Sequence, residues 1–341
     1  MDQRDKTPRS TQLTRRRFNA GAAALLTAPA LAPTSSFAAM DEAALAAAAK
    51  KEGRLTIYSN ADPAAIERGI KGFVAKYGLS PDVQRLTGAA LAQRFTAEYE
   101  SGVHLADFFI SSDPVFPKAA ITKGWLLRPD EIPSLADWPA AGLQGGLVAL
   151  GLNPYTLCYN KMLVPNGVTG WEALNEPRFR GKVLIGDPRV LAAARLWYVA
   201  IRKKFGDDFI RQLGSHAAFS PSAVPGLQQL GAGAVALYAP ATYLNALDII
   251  ERGAPVENLL IEPIVVSVPW AALVAKAPHP AAARLFLNYL GTRAGQELYN
   301  DNGFSVLANI PKTRTLPSQE NIDPLEGDRQ LPEILGLLKL G

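Results

Sequence analysis

The 341-residue chain is poor in the side chains that most often do chemistry: one cysteine and three histidines. A single cysteine, Cys158, leaves no internal disulfide possible in any redox compartment. His104, His216 and His279 stand far apart, and none has an H-x-x-x-H or C-x-x-C partner of the kind that holds a transition metal. A G-x-S-x-G elbow, a Walker A loop and a G-x-G-x-x-G fingerprint are also missing. The sequence therefore names no metal ligands, no cofactor and no catalytic residues. A secreted enzyme remains the second function class, disfavoured by the few histidines and by the lack of paired carboxylates at strand ends. The longest apolar run, residues 20–32, falls short of the about 20 residues that span a bilayer.

That run has a position and flanks that give it another meaning. Thr14-Arg15-Arg16-Arg17-Phe18 precedes it, and small residues lead out of it to Ser36-Phe37-Ala38. A basic stretch, a short hydrophobic run and a small-x-small ending describe a secretory signal, with cleavage expected before Ala39. Paired arginines followed by Phe18 fit the twin-arginine export type. Residues 1–38 hold six of the 35 basic side chains and two of the 31 acidic ones, so the rest carries 29 of each. The formal charge of +4 thus belongs to the signal. A neutral body offers neither the clustered positive charge that nucleic acid requires nor a polybasic patch for membranes. No lipoprotein-type cysteine follows the signal, so the mature protein is expected to be soluble and unanchored.

Beyond the signal, short apolar runs alternate with amphipathic stretches, the pattern of an α/β fold. Leu55-Thr56-Ile57-Tyr58 reads as a first strand closed by Ser59-Asn60-Ala61-Asp62-Pro63, before a helix with apolar residues at Ile66, Ile70, Phe73 and Val74. Val83-Gln84-Arg85-Leu86 is a second strand, with Thr87-Gly88 opening a helix to about Glu100. Residues 106–110 form a third, ended by Ser111-Ser112-Asp113-Pro114. A second unit follows: a glycine-containing connector at 147–153 suited to a crossing strand, a strand at 182–185 ended by Gly186-Asp187-Pro188, and a strand at 234–238. Ala239-Pro240-Ala241-Thr242 then leads to a helix at 243–250, and residues 265–268 cross back. Cys158, in Tyr155-Thr156-Leu157-Cys158-Tyr159, reads as an inert core residue of a buried strand. His104 reads as a surface residue in a turn. His279, between Pro278 and Pro280, reads as a helix cap.

Five stretches, in order over roughly residues 45–310, resemble the periplasmic substrate-binding proteins of bacterial ABC importers, especially the ferric-iron-binding branch. They are Leu55-Thr56-Ile57-Tyr58-Ser59; Ala106-Asp107-Phe108-Phe109; Tyr159-Asn160-Lys161; Trp171-Glu172-Ala173-Leu174 with Phe179-Arg180-Gly181-Lys182-Val183; and Ala277-Pro278-His279-Pro280-Ala281-Ala282-Ala283 with Phe286-Leu287 and Gly295-Gln296-Glu297. The resemblance implies an α/β, two-lobed, type II periplasmic-binding-protein fold, its ligand cleft between lobes joined by crossing strands. Lobe 1 is expected over 39–146 plus 265–313, lobe 2 over 147–264, and a C-terminal tail over 314–341 packing on the lobes. Trp171, Leu174 and Phe179 are expected to pack a loop on lobe 2, with Gly181 turning the chain.

The resemblance breaks at the ligand. Ferric-binding relatives use two adjacent tyrosines after the strand that matches 234–238, where this chain has Ala241 and Thr242. Their early histidine falls at Ser59 or Asn60, and their acidic ligand near Ser112 or Asp113. In their place Ser59, Asn60, Thr87, Gly88, Ser111 and Ser112 supply hydroxyl, amide and backbone donors at helix starts, suited to a carboxylate, phosphate or hydroxyl-rich group. Asp187 is a candidate for an ammonium or hydroxyls, with N-capping as the alternative; Arg189 is expected to point to solvent. Tyr238, Tyr243 and Trp270 are candidate walls. The sequence favours an organic or oxyanion-bearing solute, with ferric iron through Tyr238 or Tyr243 as the alternative cargo. The expected partners are that small-molecule solute and an inner-membrane ABC permease, with no nucleic acid, for a monomer in the periplasm.

Overall fold

The computed structural model describes residues 41–129, 132–191, 194–323 and 325–341, so the signal reading lies outside the described residues. The chain builds two sheets. The first runs in the order Asp82–Arg85, Thr56–Ser59, Phe108–Ser111, Trp270–Val274, Leu147–Ala149, Leu143–Gln144, with Leu126–Leu127 also paired to Trp270–Val274. Its first three strands are parallel, Ile57 lying beside both Val83 and Phe108, and Trp270–Val274 runs against them. The second sheet runs Val256–Leu259, Asn153–Asn160, Leu237–Thr242, Val183–Gly186, Ala218–Ser220, with Val266–Ser267 paired to Asn153–Asn160.

Local chemistry sets the helices that follow the strands. In Pro63–Tyr77, Asp62 accepts the Ala65 N–H, Pro63 takes the first turn where no donor is needed, and Gly78 ends the helix at φ +72°. Ile66, Phe73 and Tyr77 form its buried stripe. Phe73 meets Phe286 edge-on at 5.1 Å, tying that helix to Pro280–Gly291. Because helices cover both faces of the parallel strands, Phe108 and Phe109 are both buried on opposite sides.

The chain passes between sheets in two neighbouring segments. After Leu147–Ala149 it leaves the first sheet and enters the second at Asn153. It returns through Val266–Ser267 to Trp270. The two passages are joined by Leu150 N–H to Pro269 carbonyl at 2.9 Å and Tyr155 N–H to Val265 carbonyl at 2.8 Å. The connector expected to cross over 147–153 is thus first a strand of the first sheet and crosses only after Ala149.

The strand expected at 234–238 lies later in the chain, at Leu237–Thr242. Residues 239–242 are not a lead-in to a helix but the continuation of strand Leu237–Thr242. Ala241 and Thr242 still pair with Thr156 and Tyr155, after a register shift beyond Tyr238. Pro240, which has no N–H, sits within that shift, where a ladder bond is already interrupted.

The second lobe has a core on each face. Trp171, Leu174, Phe179, Trp197, Ile210 and Leu213 fill one, and Cys158, Leu184, Leu227 and Tyr238 the other. Gly181 turns the chain into Val183–Gly186 at φ +71°. The tail packs here: Ile334 and Leu338 of Leu331–Leu338 enter the first of these cores. A Cβ at Gly214 would lie 2.6 Å from the Leu338 Cα, so this approach needs glycine. Burial pushes the Cys158 thiol up to about 12, consistent with an unreactive residue.

The histidines take structural places. His104 is partly buried rather than on the surface, with its ring centroid 4.8 Å from that of Tyr99. His279 does not cap its helix. Its N–H and Nδ1 contact the fully buried Asp107 carboxylate at 2.7 and 2.9 Å, and Glu52 takes the Ala281 and Ala282 N–H groups instead. His216 Nε2 lies 3.0 Å from Asn175 Oδ1.

Candidate solute site

The carboxyl ends of the first three strands come together on one edge of lobe 1, as parallel neighbours must. Asn60 organises them. Its Oδ1 accepts the Ser112 N–H at 2.8 Å, joining the first strand's end to the third's. A Cβ at Gly88 would lie 2.9 Å from Asn60 Nδ2, so glycine lets the helix Gly88–Glu100 approach. Thr87 and Gly88 are exposed at that helix start, and Thr87 makes no side-chain cap bond. Ser59 is buried, its Oγ accepting the Ala61 N–H at 3.1 Å. Ser111 Oγ donates to the Asp113 carbonyl at 2.8 Å and accepts its N–H at 3.1 Å. Ser59 and Ser111 therefore shape turns. Asn60, Thr87, Gly88 and Ser112 remain at the edge.

On lobe 2, Asp187 accepts four hydrogen bonds from Arg189: the backbone N–H at 2.9 Å, Nε at 3.0 and 3.2 Å, and Nη2 at 2.7 Å. The Arg189 side-chain hydrogen bonds hold the Asp187 carboxyl below its ordinary range. Asp187 thus closes its own turn, and Arg189 is folded onto it instead of pointing away. Arg195 braces the same turn from below, donating to the carbonyls of Pro188 at 2.7 Å and Arg189 at 3.2 Å, and pairing with Asp328 of the tail.

The three aromatic candidates are placed differently from one another. Tyr238 is fully buried in the second lobe's core, its hydroxyl without a hydrogen-bond partner among the described residues. Side chains on a strand alternate faces, and Tyr238 falls on the face covered by Ala223–Gly231; a Cβ at Gly226 would lie 2.8 Å from its ring. Trp270 is buried among Phe109, Leu147 and Ala149 in lobe 1. Tyr243 opens the helix Tyr243–Glu251, packs edge-on against Phe304 at 5.0 Å, and accepts a 2.6 Å hydrogen bond from Arg314.

Between the lobes lies a cavity of about 20 Å³. Asp62, Ser112 and Tyr299 reach it from lobe 1, Leu244 from lobe 2, and Asn153 and Ser267 from the two crossings. Asn153 Oδ1 accepts the Leu244 N–H at 3.1 Å, fastening the first crossing to a second-lobe helix start. Of the ten sequence candidates only Ser112 lines this space. Asp62 was readable as the residue closing the first strand, but Asp-Pro before an apolar stripe signals a helix cap, and it does cap. Asn153, Ser267 and Tyr299 carried no local signal, since only the folded crossings bring them together. Among the described residues, no group of three His, Cys, Asp or Glu side chains is placed to hold a metal ion, and no helix is long and apolar enough to cross a membrane.

Two α/β lobes, strand ends facing each other and a polar space at paired crossings define a two-lobed binding protein, a class that holds its ligand between its halves. The chain belongs to the bacterial extracellular solute-binding protein family, whose model matches residues 29–305. It is thus a solute-binding protein, related by fold and family to binding proteins rather than enzymes. A protein of Haemophilus influenzae with no assigned function is 23% identical over 301 residues, covering 82% of this chain and 85% of that one. Among solved structures, the substrate-binding protein of an ABC transporter from Agrobacterium tumefaciens matches with a TM-score of 0.71 at 19% identity, covering 84% of this chain and 94% of that one. The periplasmic binding protein AfuA of Actinobacillus pleuropneumoniae, with fructose-6-phosphate bound, gives 0.67 at 18% identity, with 84% and 99% covered. Iron-bound HitA of Pseudomonas aeruginosa gives 0.65 at 17% identity, with 84% and 98% covered.

Proposed function

We propose that this chain is the periplasmic capture component of an ABC importer: as a monomer it closes on one small organic or oxyanion-bearing solute and hands it to an inner-membrane permease. The observation that carries this reading is the polar interlobe cavity at the two crossings, framed by Ser112 of one lobe and the Leu244 helix start of the other. Asn60, bonded to the Ser112 N–H and close to Gly88, puts the neutral donors of Thr87 and Gly88 on the same strand-end edge as Ser112, and a small rotation of the lobes would open the space to solute. Binding then shifts an open–closed equilibrium by the difference in affinity for the two states. Kinship of fold with a sugar-phosphate-bound protein and an ABC transporter component supports the same reading.

Ferric iron is the weaker cargo on chemical grounds. It favours anionic oxygen, yet burial pushes the Tyr238 phenol up, and its hydroxyl has no partner among the described residues. The Tyr243 hydroxyl is already hydrogen-bonded to Arg314. Mass spectrometry of the solute that leaves the purified native protein on denaturation tests the proposal. Adding that solute back at 100 times its dissociation constant should stabilise the protein by about 2.7 kcal/mol. Recovery of iron with a tyrosinate absorption band, or chemical turnover of the solute, would overturn it.

A further inference from the structure

Asp62 follows the end of the first strand and makes no salt bridge among the described residues. Its Oδ1 accepts the Ala65 N–H at 2.9 Å, and burial holds the carboxyl above the usual carboxylate range. Four charged or titratable groups face it: Arg68 on its own helix, Arg85 at the neighbouring strand's end, Asp248 on the second-lobe helix, and Tyr299. Both guanidinium groups are turned to backbone carbonyls. Arg85 donates to Ala61 at 2.8 Å, and Arg68 to Leu298 and Tyr299 at 3.1 and 3.2 Å. Asp248 is itself paired with Arg252 at 2.9 Å and adds negative charge from the opposite lobe.

Tyr299 lines the same cavity as Asp62. It is 2% exposed, and its hydroxyl has no hydrogen-bond partner among the described residues. A buried hydroxyl left unpaired costs free energy, so its place beside a desolvated carboxylate marks a position for a missing group. Ser112, Asn153 and Ser267 bring further neutral oxygens to the space. At about 20 Å³ the cavity takes one small group and no more. A carboxylate, an unpaired hydroxyl and neutral oxygens around so small a space complement a group that donates hydrogen bonds in several directions and carries positive charge.

We propose that the solute of this protein carries a protonated amine, and that this nitrogen is seated against Asp62 between the lobes. The proposal rests on the solute-binding reading and narrows it to a chemical class. A cation at Asp62 also removes the like-charge repulsion between Asp62 and Asp248 that opposes the approach of the lobes, so the nitrogen favours the closed state. The rest of the solute meets the neutral donors at Asn60, Thr87 and Gly88.

Methylammonium is the probe, since it presents the charged nitrogen alone. Thermal unfolding of the mature protein is compared in methylammonium, sodium and tetramethylammonium chlorides at equal ionic strength and near-neutral pH. The midpoint should rise saturably with methylammonium only, and the rise should vanish as acidification protonates Asp62. Asp62→Asn and Asp62→Ser both keep a side chain able to cap Pro63–Tyr77. Both variants should unfold no earlier than wild type without solute, and neither should respond to methylammonium. A purely capping Asp62 would leave that response intact, which would overturn the proposal, as would an equal response to sodium. The native solute should bind Asp62→Asn roughly 10- to 100-fold more weakly. A native solute without a basic nitrogen overturns the proposal but leaves the solute-binding reading standing; no bound or stabilising solute of any charge overturns both.

Discussion

Gly151, in the first crossing, is a position where one added methyl group should be costly in a way that a second substitution can relieve. A Cβ there would lie 2.0 Å from Asn300 Oδ1 and 3.0 Å from its Cγ. Asn300 is 1% exposed, and its Nδ2 donates to the Leu150 carbonyl at 3.0 Å and to Gln296 Oε1 at 3.1 Å. Gly151→Ala must expel this amide. Two lost hydrogen bonds at about 1 kcal/mol each, with about 1–3 kcal/mol for forced displacement in a packed site, give roughly 3–5 kcal/mol. With about 300 ordered residues the unfolding entropy is near 0.6 kcal/mol/K, so the midpoint should fall by about 5–8 °C. Asn300→Ala alone should cost about 2 kcal/mol, because Leu150 keeps the Gln296 Nε2 bond at 3.1 Å and Gln296 Oε1 keeps the Ser305 hydroxyl at 2.7 Å. In that background the clash is gone, and adding Gly151→Ala should cost less than about 1 kcal/mol. Denaturant unfolding of the four proteins measures the coupling. Additive costs would refute the reasoning.

Other residues test the remaining architecture. Asp107→Ala strands the Thr56 N–H and both His279 donors, and should destabilise by about 3–5 kcal/mol in urea unfolding. His279→Ala, which leaves the carboxylate two backbone donors, should cost about half as much. Tyr238→Phe removes a buried hydroxyl that has no partner among the described residues, so stability should be unchanged or higher by up to about 1 kcal/mol and solute affinity unchanged by calorimetry. Loss of binding in that variant would revive the iron reading. Asp187 is held below its ordinary 3.8 by Arg189, so the pair stabilises above that pH and its contribution fades as pH falls through the lowered value. Arg189→Ala should therefore melt earlier than wild type at neutral pH, and the gap should close in strong acid; a pH-independent gap would contradict the assignment.

The order of elements was legible because each strand is a short apolar run ended by polar, helix-starting residues. Ser59-Asn60, Thr87-Gly88 and Ser111-Ser112 marked three strand ends correctly for that reason. The strand at 237–242 was cut short because Pro240 reads as a terminator, whereas pairing with Asn153–Asn160 resumes beyond the register shift. His279 was read as a cap from its two flanking prolines; the residue that caps, Glu52, lies 229 positions from Ala281 and no local pattern could link them. Tyr238 was a candidate wall because an aromatic at a strand's end is ambiguous until the helix covering each face is known. The interlobe space was least legible of all. Asp62, Asn153, Ser267 and Tyr299 share no spacing, and only the two crossings bring them together.

The path of the chain through its two lobes also sets when it can fold. Strand Trp270–Val274, in the middle of the first sheet, is synthesised after the second lobe's strands. The second lobe's core in turn waits for Ile334 and Leu338, which follow that strand by some sixty residues. The first lobe's sheet is therefore completed only after the second lobe's strands have been made, and the second lobe's core only after the first lobe's sheet. A chain cut short before Ile334 leaves Trp197, Ile210 and Leu213 without their cover, the kind of apolar surface on which chaperones and proteases act.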